Sequence, residues 1–452
     1  MEKQPMKNFN KRDLLPPSGF PELSVAESVA IREVTEIIRH EYELAGFTTL
    51  ETSIVERPEV LYASSGGEIQ SQGYGLRLLN PPVGSDDDSK DLGLRYDHTV
   101  PLARFVAAHQ GEIQFPFRRH AIGPVFRGER AKDGRYRQFT QADIDIIGSE
   151  KLDLLHDAEM VAVIARVFNR LHMGKFTVRI GHRKVLQGLL EVCGLSNIDA
   201  QTSALQEIDR LEKIGATAVH ENLVKLGISQ EKATQLLHIL NTSNIEDLAS
   251  LTAENALLHE GVEELREVLG GIEAYGVAAE NYRVDLTIAR GLAYYTGTVY
   301  ETMLDAHPAL GSIASGGRYE DLAGAFTNKI LPGVGISIGV TRLMKRLIQA
   351  GLYEASRQTS ARVLIVRAMD TKETRILALQ TASHLRTHNI ANEVYIEPAK
   401  LGKQMQFADR RGFETVIIIG DETLQDSNVT VRNLATGNES VISIAELSNV
   451  LK

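Results

Sequence analysis

A single cysteine, Cys193, excludes an internal disulfide framework and a cysteine-based zinc site, and fits a reducing compartment. Its segment, LLEVCGL, reads as a helix in which the thiol simply packs. Long apolar runs are missing too. The longest aliphatic stretch, Val416 to Ile419, is far too short to span a bilayer, so no membrane contact is expected. The opening segment MEKQPMKNFNKR is polar and basic with no apolar stretch behind it, unlike a secretory signal or organelle anchor, and a cytoplasmic protein is expected. Internal repeats and low-complexity segments are absent. A net charge of -10 excludes a protein that coats nucleic acid through its overall field, so any such contact must be local. One stretch supplies it: between Arg118 and Arg137 lie Arg118, Arg119, Arg127, Arg130, Lys132, Arg135 and Arg137 against Glu129 and Asp133 alone. A solvated basic face is the alternative, although the spacing is not that of a simple helix face.

What is present is enough chain for two or three domains: 452 residues, 43% of them hydrophobic. In residues 22–45, Val25, Val29, Ile31, Val34, Ile37 and Ile38 recur at helical spacing before Gly46, which predicts a long amphipathic helix. FTTLETSIVE reads as a strand, and SDDDSK at 85–90 as an exposed loop rather than a metal site. From LGLRYDHTVPLARFVA through FRRHAIGPVFRGER to GRYRQFTQADIDIIG, strand-like runs alternate with turns, which predicts antiparallel sheet with a hairpin near KDGR. Residues 185–275 change to helices such as SALQEIDRLEKI and EELREVLGGIEAY, read as a helical insertion. Strands resume in YRVDLTIARGLAYYTGTVYETML, a helix begins near Gly339, and residues 351–360 read as a linker. Beyond it, ARVLIVRA, TRILALQTASHLRTH, NEVYIE, KLGKQMQFADRRG, ETVIIIGD, NVTVRNL and ESVISI predict a small α/β domain without a phosphate-binding glycine loop. On its first helix His384 and His388 stand at i and i+4, but no third ligand is near and a solvated face is the simpler reading.

VFRGER, GRYRQF, ARGLAYYTG and VTRL each set arginines beside strands or turns, where planar guanidinium forks suit phosphate or carboxylate oxygens. Taken singly these residues have plainer readings. Arg130 could pair with Glu129, Phe139 could belong to the core, Arg342 could snorkel on a helix face, and Asp97, Asp143 and Asp145 could pair with nearby arginines. The glycines of SGGRY and GVGISIG could mark turns or a close approach to a nucleotide. Gln141, Asp143 and Asp145 alternate at i, i+2 and i+4, which puts them on one strand face.

Over nearly its whole length the sequence resembles the class II aminoacyl-tRNA synthetases and, within them, the histidyl family. FRGERAKDGRYRQFTQADIDIIG resembles that class's motif 2 and GVGISIGVTRL its motif 3, while the predicted helix at 22–45 with GFTTLETSIVE resembles motif 1, a dimer-interface element. ARGLAYYTGTVYE resembles the histidyl signature, LRYDHTVPLAR the segment that holds the substrate's amino group, and KLGKQMQFADRRG with VIIIGDE an anticodon-binding domain. The resemblance implies an α+β fold: an antiparallel sheet catalytic domain (1–184 and 276–350) with a helical insertion (185–275), the linker (351–360), and a C-terminal α/β anticodon-binding domain (361–452). It implies ATP-dependent activation of L-histidine and transfer to tRNA(His) by a homodimer, with Mg2+ on the outer phosphates of ATP.

Position by position, the resemblance assigns Arg127 to the ATP α-phosphate and the substrate carboxylate, and Arg342 to the adenine and γ-phosphate. Phe139 stacks on adenine, Arg135 and Arg137 meet the outer phosphates or the incoming acceptor end, and Arg290 faces the α-phosphate from the other side. Asp97, Thr99 and Gln141 hold the α-ammonium group, and Asp145 with Tyr295, beside Tyr294, reads the imidazole. Such a reaction joins a carboxylate to a phosphate, so the site must supply cations where negative charge gathers. No protein nucleophile, general base or protein-held metal is implied. Two departures stand out: Ala293 replaces the usual Asp of the histidyl signature, and Asp rather than Glu occupies positions 97 and 145. The competing readings are a non-catalytic histidine-binding paralogue resembling the regulatory subunit of ATP phosphoribosyltransferase, and a synthetase for proline, threonine or glycine.

Overall fold

The computed structural model describes residues 10, 12, 14–63, 71–77, 79, 92–130, 135–288, 295–321 and 323–451. They form two compact units, one of residues up to Pro21 with Val34–Leu352, the other of Glu22–Glu33 with Tyr353–Lys452. The strands of the first unit are, in chain order, β1 (Thr48–Thr49), β2 (Val55–Glu56), β3 (Tyr74–Leu76), β4 (Leu92–Leu94), β5 (Phe117–Phe126), β6 (Gln138–Ile147), β7 (Phe176–His182), β8 (Tyr282–Val284), β9 (Tyr295–Leu304), β10 (Ala314–Tyr319) and β11 (Gly333–Ile338). β2, β4 and β3 make a small sheet, and the other eight form one sheet in the order β1-β5-β6-β11-β10-β9-β7-β8. All its pairs are antiparallel except the parallel pairs β1 with β5 and β8 with β7. The segment FTTLETSIVE yields only the two-residue strands β1 and β2, because its intervening residues find no ladder partner.

Helix α1 (Val25–Leu44) opens with reciprocal caps: Ser24 Oγ accepts from Glu27 N at 3.2 Å, and Glu27 Oε2 accepts from Ser24 N at 2.8 Å. Val34, Ile38 and Tyr42, four residues apart, bury one stripe of it, and Tyr42 OH donates to the Ala142 carbonyl at 3.1 Å. The stretch TVPLARFVAAH, expected to be strand-like, is instead helix α2 (Thr99–His109). Pro101 lies in its first turn, where the missing N–H has no intrahelical partner to lose. Asp97 Oδ1 caps the start by accepting from Thr99 N and Val100 N, each at 3.0 Å.

Further helices are α3 (Leu155–Leu171), α4 (Arg183–Val192), α5 (Ile198–Asp209), α6 (Leu211–Lys225), α7 (Gln230–Thr242), α8 (Ala256–Ala274) and α9 (Val340–Gln349). The run SALQEIDRLEKI, expected as one helix, divides at Arg210 between α5 and α6, and α6 kinks at Gly215, whose φ of 81° lies outside helical space. Cys193 sits at the C-terminal cap of α4, its Sγ 3.9 Å from the Lys232 carbonyl.

The second unit carries β12 (Val363–Arg367), helix α10 (Lys372–Thr387), β13 (Asn392–Val394), helix α11 (Leu401–Arg411), β14 (Thr415–Ile419), β15 (Asn428–Asn433) and β16 (Glu439–Ser443). Its sheet runs β13-β12-β14-β15-β16, parallel among the first three strands and antiparallel beyond. The continuous run Val363, Leu364, Ile365 and Val366 is buried on both faces, alternate residues entering two separate cores. Buried Gln404 ties α11 to that strand: Oε1 accepts from Arg367 N at 3.0 Å while Nε2 donates to Arg367 O at 2.9 Å. The His384 and His388 rings lie 4.5 Å apart between centroids, tilted by 52°, and among the described residues no group of three or more His, Cys, Asp and Glu could hold a metal ion.

In the first unit, α3 is held to the sheet by a desolvated ion pair. Asp157 is 0% and Arg318 5% exposed, and Arg318 Nη2 lies 2.6 Å from Asp157 Oδ1, with further donation to the Leu152 and Asp153 carbonyls. Removing the carboxylate strands a buried guanidinium, so Asp157→Ala is expected to cost about 3–5 kcal/mol in urea unfolding. Glu36→Ala, which breaks the exposed Arg39–Glu36 pair, is expected to cost less than about 0.5 kcal/mol in the same assay.

Candidate active site

The chemistry-bearing face of the large sheet is set by its register. Across the ladder Arg119 of β5 opposes Asp145 of β6, which opposes Gly335 of β11; one step along, Ala121, Asp143 and Ser337 line up in the same way. Because side chains alternate, Gln141, Asp143 and Asp145 share this face. Arg119 and Asp145 form a buried pair, Nη2 to Oδ2 2.9 Å, with 2% and 4% of their side chains exposed. Arg119 Nη2 also donates to the His98 carbonyl at 3.1 Å, and Tyr319 OH donates to Asp145 Oδ1 at 3.2 Å. Burial raises the Asp145 carboxyl above the usual range, against the pull of Arg119. Asp143 is pushed up to about 7, first by burial, although Arg119 and the Ser337 hydroxyl, 2.5 Å from its Oδ1, oppose the rise. Beside them His98 is driven down to about 3 by burial and by Arg119 and Arg95, which keeps its imidazole neutral.

Two cavities open over this face. The inner one, about 30 Å³, is walled by Thr99, Asp143, Asp145, Tyr295, Ser315 and Ser337, among others. The outer one, about 240 Å³, is walled by Arg127, Glu129, Arg135, Phe139, Gln141, Ser315, Ser337 and Arg342, among others, and shares Ser315 and Ser337 with the inner. Arg127 is fixed over two rings, its Cζ 4.5 Å from the Tyr96 centroid and 5.3 Å from that of Phe139, while Nε donates to the Tyr96 carbonyl at 3.2 Å. Arg135 Nη1 pairs with Glu129 Oε2 at 2.9 Å, so Glu129 is committed to it rather than to Arg130. Arg342, near the start of α9, keeps a buried Nε with no hydrogen-bond partner. Burial first, then Arg346 and Arg135, lower its pKa, an arrangement that an anion in the cavity would relieve.

The fold therefore brings Arg127, Arg135, Phe139, Gln141 and Arg342 to one cavity and Thr99, Asp145 and Tyr295 to the next. Asp97 is buried nearby as the cap of α2, and its charge is felt by both Asp143 and Asp145. Arg137 is not on either wall: Nε donates to the Glu129 carbonyl at 3.2 Å and Nη1 to the Ser18 carbonyl at 3.1 Å. Arg290 and Tyr294 lie outside the described residues, as do the 85–90 loop and Lys132–Gly134 of the hairpin turn. Gly339 is the N-cap of α9, while Gly316 and Gly317 of SGGRY and Gly333 and Gly335 of GVGISIG are strand residues of β10 and β11. Their reason is space: a Cβ on Gly335 would stand 2.2 Å from Asp145 Oδ1, and one on Gly317 2.9 Å from a Tyr295 ring carbon. Sequence reasoning missed Arg119, the buried partner of Asp145, and the role of Ser337. Arg119 was visible as one more member of a basic run, and only the β5–β6 register singles it out.

Chemically, the outer cavity suits an anion with a flat ring, and the inner one suits a small group rich in hydrogen-bond donors. Comparison with known proteins agrees. Residues 19–343 match the family model described as histidyl-tRNA synthetase, and residues 362–452 match the anticodon binding domain. The chain is 41% identical over 451 residues to the histidine--tRNA ligase of Clostridium tetani, covering 98% of this chain and 99% of that one. It is 40% identical to that of Nostoc sp. PCC 7120, covering 99% of each. The crystal structure of histidyl-tRNA synthetase from Nostoc sp. PCC 7120 superposes with a TM-score of 0.87 at 38% identity, over 97% of this chain and 98% of that one. These matches, over both units and on the site's own strands, identify the chain as a member of the histidyl-tRNA synthetase family.

Proposed function

We propose that this protein activates L-histidine with ATP and transfers the histidyl group to the 3′ end of tRNA(His). The observation that carries this reading is the pair of adjoining cavities with opposite character, one walled by Arg127, Arg135 and Arg342 and the other by Asp143 and Asp145. ATP takes the outer cavity. Arg127 faces the α-phosphate and the substrate carboxylate, Arg342, whose Nε has no partner, packs by the adenine and the γ-phosphate, and Phe139 offers a ring to adenine. Arg290 completes the cationic surround of the α-phosphate, and Arg135 meets the outer phosphates. Arg137, bonded to the Glu129 and Ser18 carbonyls, joins Arg135 at the outer phosphates or the incoming acceptor end.

Histidine takes the inner cavity. Its ammonium group donates to Asp97, Thr99 and Gln141, and its two ring nitrogens face Asp145 and Tyr295, with Tyr294 alongside. A pocket of buried polar groups rejects isosteres because each leaves a group unpaired. The substrate carboxylate then attacks the α-phosphorus and pyrophosphate departs. In the second step a ribose hydroxyl of the tRNA's terminal adenosine attacks the mixed-anhydride carbonyl, AMP departs, and the adenylate phosphate accepts the proton.

Magnesium belongs to this reading as a counterion of ATP. It would accompany the outer phosphates of the nucleotide and offset their charge, with no protein side chain assigned to hold it. Residues 1–184 and 276–350 act as the catalytic domain, 185–275 as an insertion facing the acceptor arm, 351–360 as a linker and 361–452 as the reader of the anticodon. The protein works as a cytoplasmic homodimer in which α1 and the following segment contribute to the dimer interface.

Exchange of pyrophosphate into ATP is expected with histidine and with none of the other nineteen amino acids; exchange with a different amino acid would overturn the pocket assignment. In the same assay Arg290→Ala is expected to lower kcat by about 10²–10³, the usual loss when one donor to transition-state charge is removed. Arg342→Ala is expected to raise the KM for ATP by at least about tenfold, since a charge-assisted hydrogen bond contributes roughly 1.5–3 kcal/mol, while leaving the KM for histidine near that of the parent.

A further inference from the structure

Side by side on neighbouring strands, Asp143, Ser337 and Gln141 form a chain of hydrogen bonds whose polarity is dictated at one end. Ser337 Oγ donates to Asp143 Oδ1 at 2.5 Å, and Gln141 Nε2 donates to Ser337 Oγ at 2.8 Å. In its ionised state the Asp143 carboxylate only accepts, and the Ser337 proton then points at it. The Ser337 oxygen then has only lone pairs left for Gln141, which must present its NH2 there. The amide is thereby held with Oε1 turned the other way; Oε1 is buried without a hydrogen-bond partner, and Gln141 lines the outer cavity. An orphaned acceptor there calls for a donor: of the amino acid's groups only the α-ammonium is purely a donor, and Gln141 stands beside Ser337, which both cavities share.

We propose that Asp143 and Ser337 are positioning residues for substrate recognition, acting through Gln141 by fixing its amide with the carbonyl oxygen toward the ammonium group of the amino acid. This rests on the reading that Gln141 meets that group. Neither Asp143 nor Ser337 needs to touch the ammonium. Their cross-strand pairing sets the direction of the chain, and the diagonal from Ser337 to Gln141 carries it to the cavity.

The test measures histidine and ATP KM values in pyrophosphate exchange for the parent, Ser337→Ala, Ser337→Thr, Asp143→Ala and Gln141→Ala. Competitive inhibition by imidazolepropionate, which has the ring and carboxylate of histidine but no ammonium, is measured beside them. Ser337→Ala and Asp143→Ala are expected to raise the KM for histidine about tenfold or more with kcat and the KM for ATP near the parent's, to leave imidazolepropionate inhibition unchanged, and Ser337→Thr to restore the parent value. Equal weakening of histidine and imidazolepropionate would show a merely structural role and overturn the proposal. So would an unchanged histidine KM in Ser337→Ala while Gln141→Ala raises it. If Gln141→Ala itself leaves the histidine KM unchanged, the contact between Gln141 and the ammonium is wrong and the proposal falls with it. Should Asp143→Ala fail to fold, the Ser337 pair decides alone.

Discussion

The buried pair of Arg119 and Asp145 is the interaction on which the site is assembled. Two charges taken out of water are costly, and their partners offset part of that cost: Arg119 spans from Asp145 to the His98 carbonyl, although its Nε is buried without a partner, and Asp145 also accepts from Tyr319. Four elements are thereby coupled, since the residues come from β5, from β6, from β10 and from the start of α2. Such a pair contributes little net stability compared with an apolar replacement, but it demands one register. A slip of one residue between β5 and β6 would turn Asp145 to the opposite face and leave Arg119 buried alone. The small residues around it follow from the same demand, because Gly335 leaves the Asp145 carboxylate the only room it has.

From that anchor the charges separate along the sheet face. Carboxylates of Asp97, Asp143 and Asp145 gather at the inner end, and the guanidiniums of Arg127, Arg135 and Arg342 stand over the outer end. Each end carries groups displaced from their ordinary titration range in the direction that a bound partner of opposite charge would correct. Asp143 is raised by burial and Arg342 lowered by burial and by neighbouring cations. The protein thus holds apart two unfavourable fields, and substrates of opposite charge complete them. Arg127 is immobilised between the Tyr96 and Phe139 rings, so its orientation is set before any ligand arrives.

The second unit rests on different physics. Its central strands are apolar on both faces, and the parallel arrangement needs helices to cover them, which α10 and α11 supply. Among the polar exceptions in that interior Gln404 bridges both backbone groups of Arg367, while Arg367 Nε and Asn392 Oδ1 are buried without a hydrogen-bond partner. The order of strands and helices there was legible from the sequence because continuous β-branched runs and helical spacing leave few alternatives. In the first unit the antiparallel strands around the site were equally legible, whereas TVPLARFVAAH was misread. It is a helix in which Pro101, in the first turn, removes no hydrogen bond and the Asp97 carboxylate completes the cap.

The α+β fold, the helical stretch from 185 to 275 and the alternation that places Gln141, Asp143 and Asp145 on one face were determined by local chemistry. Each depends on spacing within a few residues, and periodicity survives in any context. What only the tertiary structure decided is which of many arginines and carboxylates meet. Arg119 could not be told from its basic neighbours, nor Ser337 from an ordinary strand serine, because their partners sit on other strands, 194 residues away in the case of Ser337 and Asp143. Register between distant strands is a property of the whole sheet, set by the burial of both faces together and by no residue's own neighbours.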